Sequence, residues 1–333
     1  MGSVSALRVP RRRLLIVCLT LGLATAAIPV AAASRWSLGS DADVQTHGQI
    51  DPSLEAAVGQ ATGGRLTTMH FYSRALGKVA DYLVYLPAGY TPTQPLPAFY
   101  LLHGMPGKPV AFTVNADMEV RLEQLIRERQ VNPMILVFPD GRIDGRVQSD
   151  SEWANTPSGR YESYVTNVVQ NVDQRFGALG CRQQRAIAGL SAGAYGAANI
   201  GLHQDATFGL VQVWSGYFRE THNGVFADAD RAVMAYNSPI DYVRTMRQTL
   251  ERYPLRIFIY GGRDDPDTVQ IPAMAQALKE EGAHESWAIY PGGHSWQTWT
   301  PHVDQMLIMA SRDFSYPLGR LAPDCEPHMV SSG

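Results

Sequence analysis

The chain has 333 residues, 45% of them hydrophobic and 18% charged, with a formal net charge of −3. That composition excludes a disordered or collagen-like chain and supplies enough apolar residues for one large core. An acidic balance without a basic patch also excludes a nucleic-acid binder.

Residues 1–33 read as a secretory signal. Arg8, Arg11, Arg12 and Arg13 make a cationic start, and Leu14 to Ala33 is almost wholly apolar and ends in small residues. A run of that length could also stay as a membrane anchor. Pro29 and the alanines that follow point instead to cleavage, leaving no stable membrane span. Cleavage removes four arginines and no acid, which takes the net charge to about −7. The expected location is secreted or in the cell envelope. Cys181 and Cys325 then remain as a pair, which an oxidising compartment can bridge or leave as thiols.

Residues 34–65 are polar and Gly-rich and read as an irregular lead-in. The main domain is expected over 66–316, with a tail at 317–333. Residues 66–72 and 80–86 read as two strands around a turn at Leu76-Gly77-Lys78. Ala98 to Leu102 is a continuous apolar run suited to a buried strand and stops at His103-Gly104. The spacing of Val120, Leu122, Leu125 and Ile126 predicts a helix over 118–130. Met134 to Phe138 is a second buried strand, closed by Pro139-Asp140-Gly141. A helix over 161–176 and a short strand over 186–188 lead to Gly189. Strands are then expected at 209–214, 255–260 and 286–290, and helices after Ser191 and over 241–252, 271–281 and 300–312. This alternation predicts one α/β domain with a mostly parallel sheet covered by helices on both faces.

Gly189-Leu190-Ser191-Ala192-Gly193 fits G-x-S-x-G and falls between a predicted strand and a predicted helix. There the serine sits on a tight turn with its hydroxyl above the sheet at a helix N-terminus. A serine hydroxyl needs a base, and the base needs an orienting carboxylate. In this fold the chain order is serine, acid, histidine. His294 lies in Pro291-Gly292-Gly293-His294-Ser295-Trp296, just after the last strand. His203, His222, His284, His302 and His328 also follow Ser191, but none lies in a Gly-rich loop after a strand. The acid is expected in Gly261-Gly262-Arg263-Asp264-Asp265-Pro266-Asp267. G-x-x-D selects Asp265 counted from Gly262 and Asp264 counted from Gly261; Asp265 is the preferred reading. These three acids lack the ligand spacing of a calcium loop, so neither a metal nor a cofactor is expected. The oxyanion requires N–H donors, assigned to Ala192 and, in His103-Gly104-Met105-Pro106-Gly107, to Met105, since Pro106 has no N–H.

Several segments together resemble the esterase D-like α/β-hydrolases, a group that includes feruloyl esterases and mycolyltransferases. They are Leu101-Leu102-His103-Gly104, Val137-Phe138-Pro139-Asp140-Gly141, Glu152-Trp153, Arg160-Tyr161-Glu162-Ser163-Tyr164, the Gly189–Gly193 elbow and the His294 loop, within about residues 66–312. The resemblance implies an α/β-hydrolase fold and a triad of Ser191, Asp265 and His294. His294-Ser295-Trp296 followed by Trp299 is similar to the mycolyltransferases, which move an acyl chain between sugars. Their loop after the third strand carries Asp-Gly where this chain has His103-Gly104, the form of the plain esterases. His103, Trp296 and Trp299 are the candidate substrate-binding residues. The expected function is an exported serine carboxylesterase acting on a small-molecule, lipid or sugar ester. Its rivals are an acyltransferase on the same triad and a catalytically silent envelope module.

Overall fold

The apolar runs of the sequence become the middle of one eight-stranded sheet in the computed structural model, which describes residues 50–146 and 149–314. The strands are β1 (Arg65–Ser73), β2 (Lys78–Leu86), β3 (Ala98–Leu102), β4 (Ile135–Pro139), β5 (Arg185–Leu190), β6 (Leu210–Trp214), β7 (Arg256–Gly262) and β8 (His284–Tyr290). Their order across the sheet is β1-β2-β4-β3-β5-β6-β7-β8. β2 runs antiparallel to β1 and β4, and every other neighbouring pair is parallel. This is the α/β-hydrolase order.

β3, β4, β5 and β6 are buried at every position. Strands covered on both faces need no polar alternation, which is why they appear as unbroken apolar runs. Their side chains still alternate between two cores. Tyr100 and Leu102 point to one face, where they join Val165 and Val168 of α3 (Tyr161–Phe176), Ala194 and Ile200 of α4 (Ala192–His203), and Met274 and Leu278 of α5 (Ile271–Glu280). Phe99 and Leu101 point to the other, with Val58 of α1 (Pro52–Thr62), Leu122 of α2 (Met118–Arg127), and Met306 and Leu307 of α6 (Val303–Phe314).

Three expectations need correction. The lead-in is not irregular throughout, because α1 forms within it. The Asp51 carboxylate caps the Ser53 N–H at 2.8 Å, Pro52 opens the helix, and Gly63 closes it with φ 75°. The helix expected over 241–252 is broken into Pro239–Tyr242, a 3-10 turn Val243–Thr245 and Arg247–Arg252. The Thr245 hydroxyl donates to the Tyr242 carbonyl, a local bond that competes with the helical ladder. The final helix starts as a 3-10 turn, Thr300–His302, and becomes α-helical at Val303.

The described residues belong to one compact unit. The signal segment, the C-terminal tail and Cys325 lie outside the described residues. Cys181, buried just before β5, is disulfide-bonded. Among the described residues, no helix is long and apolar enough to cross a membrane.

Candidate active site

At the end of β5 the chain turns through Ser191, whose backbone takes φ 57° and ψ −125°. Two glycines make this possible by their lack of a side chain. A Cβ on Gly189 would lie 2.2 Å from the Gly193 carbonyl oxygen, and a Cβ on Gly193 would lie 2.1 Å from that of Leu102. The Ser191 N–H donates to the Trp214 carbonyl at 3.1 Å, which ties the turn to the end of β6. α4 begins at the next residue, so the Ala192 N–H is among those that a helix start leaves without a helical partner.

The loops after β7 and β8 are stitched together beside this turn. The Arg263 N–H donates to the Tyr290 carbonyl at 2.8 Å and the Asp264 N–H to the Gly292 carbonyl at 2.9 Å. The result is an unbroken side-chain relay. His294 Nε2 lies 2.8 Å from Ser191 Oγ, and His294 Nδ1 lies 2.9 Å from Asp265 Oδ2. Asp264 is exposed, while Asp265 is buried and is the acid that meets the imidazole.

Charge follows from these contacts. Burial alone would raise Asp265, but hydrogen bonds from His294, Ser215 and the Asp267 N–H outweigh it and hold the carboxyl below its ordinary value. The same bond to Asp265 raises His294 above its ordinary value, against a smaller opposing effect of burial. Asp265, Asp267 and His294 lie close enough to share an ion, with ligand atoms within 4.8 Å. Both Asp265 oxygens and both His294 nitrogens have hydrogen-bond partners within the relay and its loop.

Ser215, absent from the sequence reading, buttresses the acid. Its backbone has φ 56°, its Oγ accepts the Trp299 indole N–H at 2.8 Å, and its hydroxyl serves Asp265. No motif marks it. Trp299 is buried, with its ring edge-on to His294 at 5.2 Å, so it supports the histidine from beneath. Trp296 is half-buried and packs edge-on to Phe112 and Trp299.

His103 is 2% exposed, and backbone occupies both its ring nitrogens, so it faces the protein and not a ligand. Nε2 accepts the Gly141 N–H at 3.1 Å, which places the ring hydrogen on Nδ1, and Nδ1 donates to the Gly104 carbonyl at 2.9 Å. That carbonyl and the Met105 N–H belong to one peptide plane and point in opposite directions. Pinning the oxygen to His103 therefore fixes where the Met105 N–H aims. The Met105 side chain is exposed.

Buried acids elsewhere give a stability prediction. Burial pushes Glu119 and Glu152 up to about 7 and Glu220 up to about 8. Unfolded, these groups lose their protons near the ordinary glutamate value of 4.5, so between that value and pH 8 the folded state holds more protons. Stability then falls as pH rises. His294 acts in the same direction, since its raised value favours folding most at low pH. The thermal midpoint is expected to drop steadily from pH 5 to pH 8, and Glu119→Gln should flatten the slope in scanning calorimetry.

A family model described as "Putative esterase" matches residues 73–310. This chain belongs to that esterase family. Esterases of this family hydrolyse ester bonds, and their α/β-hydrolase fold is the one described above. An endo-1,4-beta-xylanase/feruloyl esterase from Xylanibacter ruminicola is 25% identical over 191 residues, 55% of this chain and 25% of that protein. The chain thus spans about a quarter of the length of that curated relative. A solved ferulic acid esterase is 26% identical, with a TM-score of 0.67 over 75% of this esterase and 98% of that chain. An S-formylglutathione hydrolase from Agrobacterium tumefaciens shares the fold at 18% identity and a TM-score of 0.63, covering 76% of this chain and 96% of its own.

Proposed function

We propose that this esterase is an exported serine carboxylesterase that works through Ser191, His294 and Asp265 and a covalent acyl-enzyme. The single observation that carries the reading is the relay from Ser191 Oγ through His294 to Asp265, at 2.8 and 2.9 Å. His294 Nε2 takes the Ser191 proton as Oγ attacks the ester carbonyl. Asp265 holds the Nδ1 hydrogen and stabilises the imidazolium that forms. The Met105 and Ala192 N–H groups receive the oxyanion, and removing one such donor from an oxyanion site costs about 10²–10³ in rate. Collapse expels the alcohol, with the proton returned by His294. Water, activated by the same imidazole, then releases the acid and regenerates Ser191. The cationic and apolar leader supports export.

The relatives named as feruloyl esterases make an aromatic acyl ester the first substrate to test. The half-buried Trp296 beside Phe112 offers aromatic surface for such an acyl group. The test is fluorophosphonate labelling mapped by peptide mass, followed by a panel of feruloyl, acetyl and longer acyl esters with and without a sugar acceptor. Labelling at Ser191 and hydrolysis in preference to transfer are expected. Absence of labelling would leave the silent-module reading, and dominant transfer to sugar would favour the acyltransferase.

The pH profile is a further check. His294 must be uncharged to act as base, and the Asp265 bond raises it above the ordinary histidine value of 6.5. The acid limb of kcat/KM is therefore expected above pH 6.5, falling one decade per pH unit below it. Asp265→Asn should move that limb to lower pH and cut kcat by about 10⁴.

A further inference from the structure

Beside the relay, the loops that flank α4 carry an arrangement that the chemistry above does not use. In the loop after β4, Glu152 and Trp153 are both left-handed, with φ 50° and 54°. Neither is glycine, and such backbone persists only where its surroundings over-determine it. Here they do. The Asp150 carboxylate accepts the Glu152 N–H at 2.9 Å and the Ser151 hydroxyl accepts the Trp153 N–H at 3.2 Å. The Trp153 side chain lies against Gly141 and Gly196, where an added Cβ would meet it at 2.7 and 2.5 Å. Its indole N–H donates to the His103 carbonyl at 3.1 Å.

This bracing presents the Glu152 carboxylate, which accepts the hydroxyl hydrogen of Tyr217, in the loop after β6. The Tyr217 ring lies flat on Tyr195, one turn into α4, at 5.0 Å and 5°. One hydrogen bond thus joins the loop on the β4 side to the loop on the β6 side, next to the first turns of the helix that Ser191 opens. We propose that Glu152 and Tyr217 are positioning residues whose hydrogen bond sets the spacing of the two loops walling the substrate cleft beside Ser191. This rests on the reading of Ser191 as the nucleophile.

Charge makes the tie conditional on pH. Burial, then Asp150, raises Glu152 to about 7; burial, then Glu152, raises Glu220 to about 8. The groups acting on this pair are Asp150, Tyr195 and Tyr217, with His103 acting on Asp150, and none of them is a lysine or arginine. Arg219, beside Glu220 in the chain, is paired with Asp241. Among the described residues, Glu220 Oε1 and Asp150 Oδ2 have no hydrogen-bond partner. With protons on the cluster, the tie holds. Above pH 8 three carboxylates repel one another without a counter-charge. The bond from Tyr217 favours an ionised Glu152, but repulsion from Asp150 exceeds that effect, and repulsion between Glu152 and Glu220, which sit on opposite loops, drives the loops apart.

The experiment measures KM and kcat from pH 6 to 9 on a bulky aryl ester, for enzyme whose Ser191 content is first counted with a fluorophosphonate. In the parent protein KM is expected to rise about tenfold between pH 6 and 9, while kcat follows the His294 limb and climbs over the lower part of that range in parent and variants alike. Glu152→Gln keeps a partner for Tyr217 without the charge and should hold KM flat across that range. Tyr217→Phe keeps the ring stack but breaks the tie, and should give the raised KM already at pH 6. A parent KM that does not change with pH, an unaltered rise in Glu152→Gln, or a normal KM in Tyr217→Phe at pH 6 would overturn the proposal. A parent protein that does not label fails at the earlier step and takes the nucleophile assignment with it.

Discussion

Ser191→Ala is expected to lower kcat/KM on any ester by about 10⁴- to 10⁶-fold and to leave the fold standing. Without Oγ there is nothing for His294 to activate, and no acyl-enzyme can form. What remains is binding and the proposed Met105 and Ala192 donors, which would act only on the slow attack of water. The stability side of the same experiment is more discriminating. Alanine keeps the left-handed backbone at φ 57° and loses only a hydrogen bond to a partly exposed imidazole. Glycine at this position removes the steric conflict between Cβ and carbonyl that the turn imposes. Ser191→Gly should therefore be inactive too, yet more stable than Ser191→Ala by about 1 kcal/mol. Single-turnover kinetics and thermal midpoints on the two variants check both halves. Ester turnover by either variant near the parent rate would remove Ser191 from the chemistry.

How much of this was legible in the sequence depended on how far along the chain each partner lies. The buried strands were plain because two covered faces leave unbroken apolar runs, and α3 was plain because its apolar stripe spans four turns. α1 was not. Only Val58 and Thr62 of its eleven residues are buried, too few for a period to emerge. Its capping signals, Asp51-Pro52 at one end and Gly63 at the other, were present in the letters. Ser191 and His294 stood out because each needs glycines beside it, and glycine leaves a mark in sequence. Asp264 and Asp265 could not be separated by G-x-x-D, since Gly261 and Gly262 are adjacent. The fold separates them with a turn, the Asp265 N–H bonding back to the Gly262 carbonyl at 3.1 Å, which buries one carboxylate and exposes the other. Ser215 and the Glu152–Tyr217 tie left no trace. They act through partners 50 or more positions distant, and no local rule reads such a pairing.

Gly193→Ala is expected to cause the largest loss of stability of any single methyl addition near the site. The new Cβ would stand 2.1 Å from the Leu102 carbonyl oxygen and 2.5 Å from that of His103. Both obstacles are backbone, at the end of β3 and the start of the loop that carries Met105, so no rotamer change relieves them. The start of α4 must move away from β3, at a cost of about 3 kcal/mol or more. That movement also separates Ala192 from Met105, so the fraction that folds should lose turnover through weaker oxyanion binding, with kcat falling more than KM changes. Gly77→Ala is the matched control. Its backbone is left-handed, at φ 65°, but a Cβ there meets nothing within 4 Å. It should cost only the conformational term, about 1–2 kcal/mol, with kcat retained. Denaturant midpoints at matched m-values compare the two. Equal losses would mean that the elbow has slack. Unequal losses of the expected size would mean that the two proposed oxyanion donors are held in register by direct contact between backbones, a form of preorganisation that side-chain repacking cannot restore.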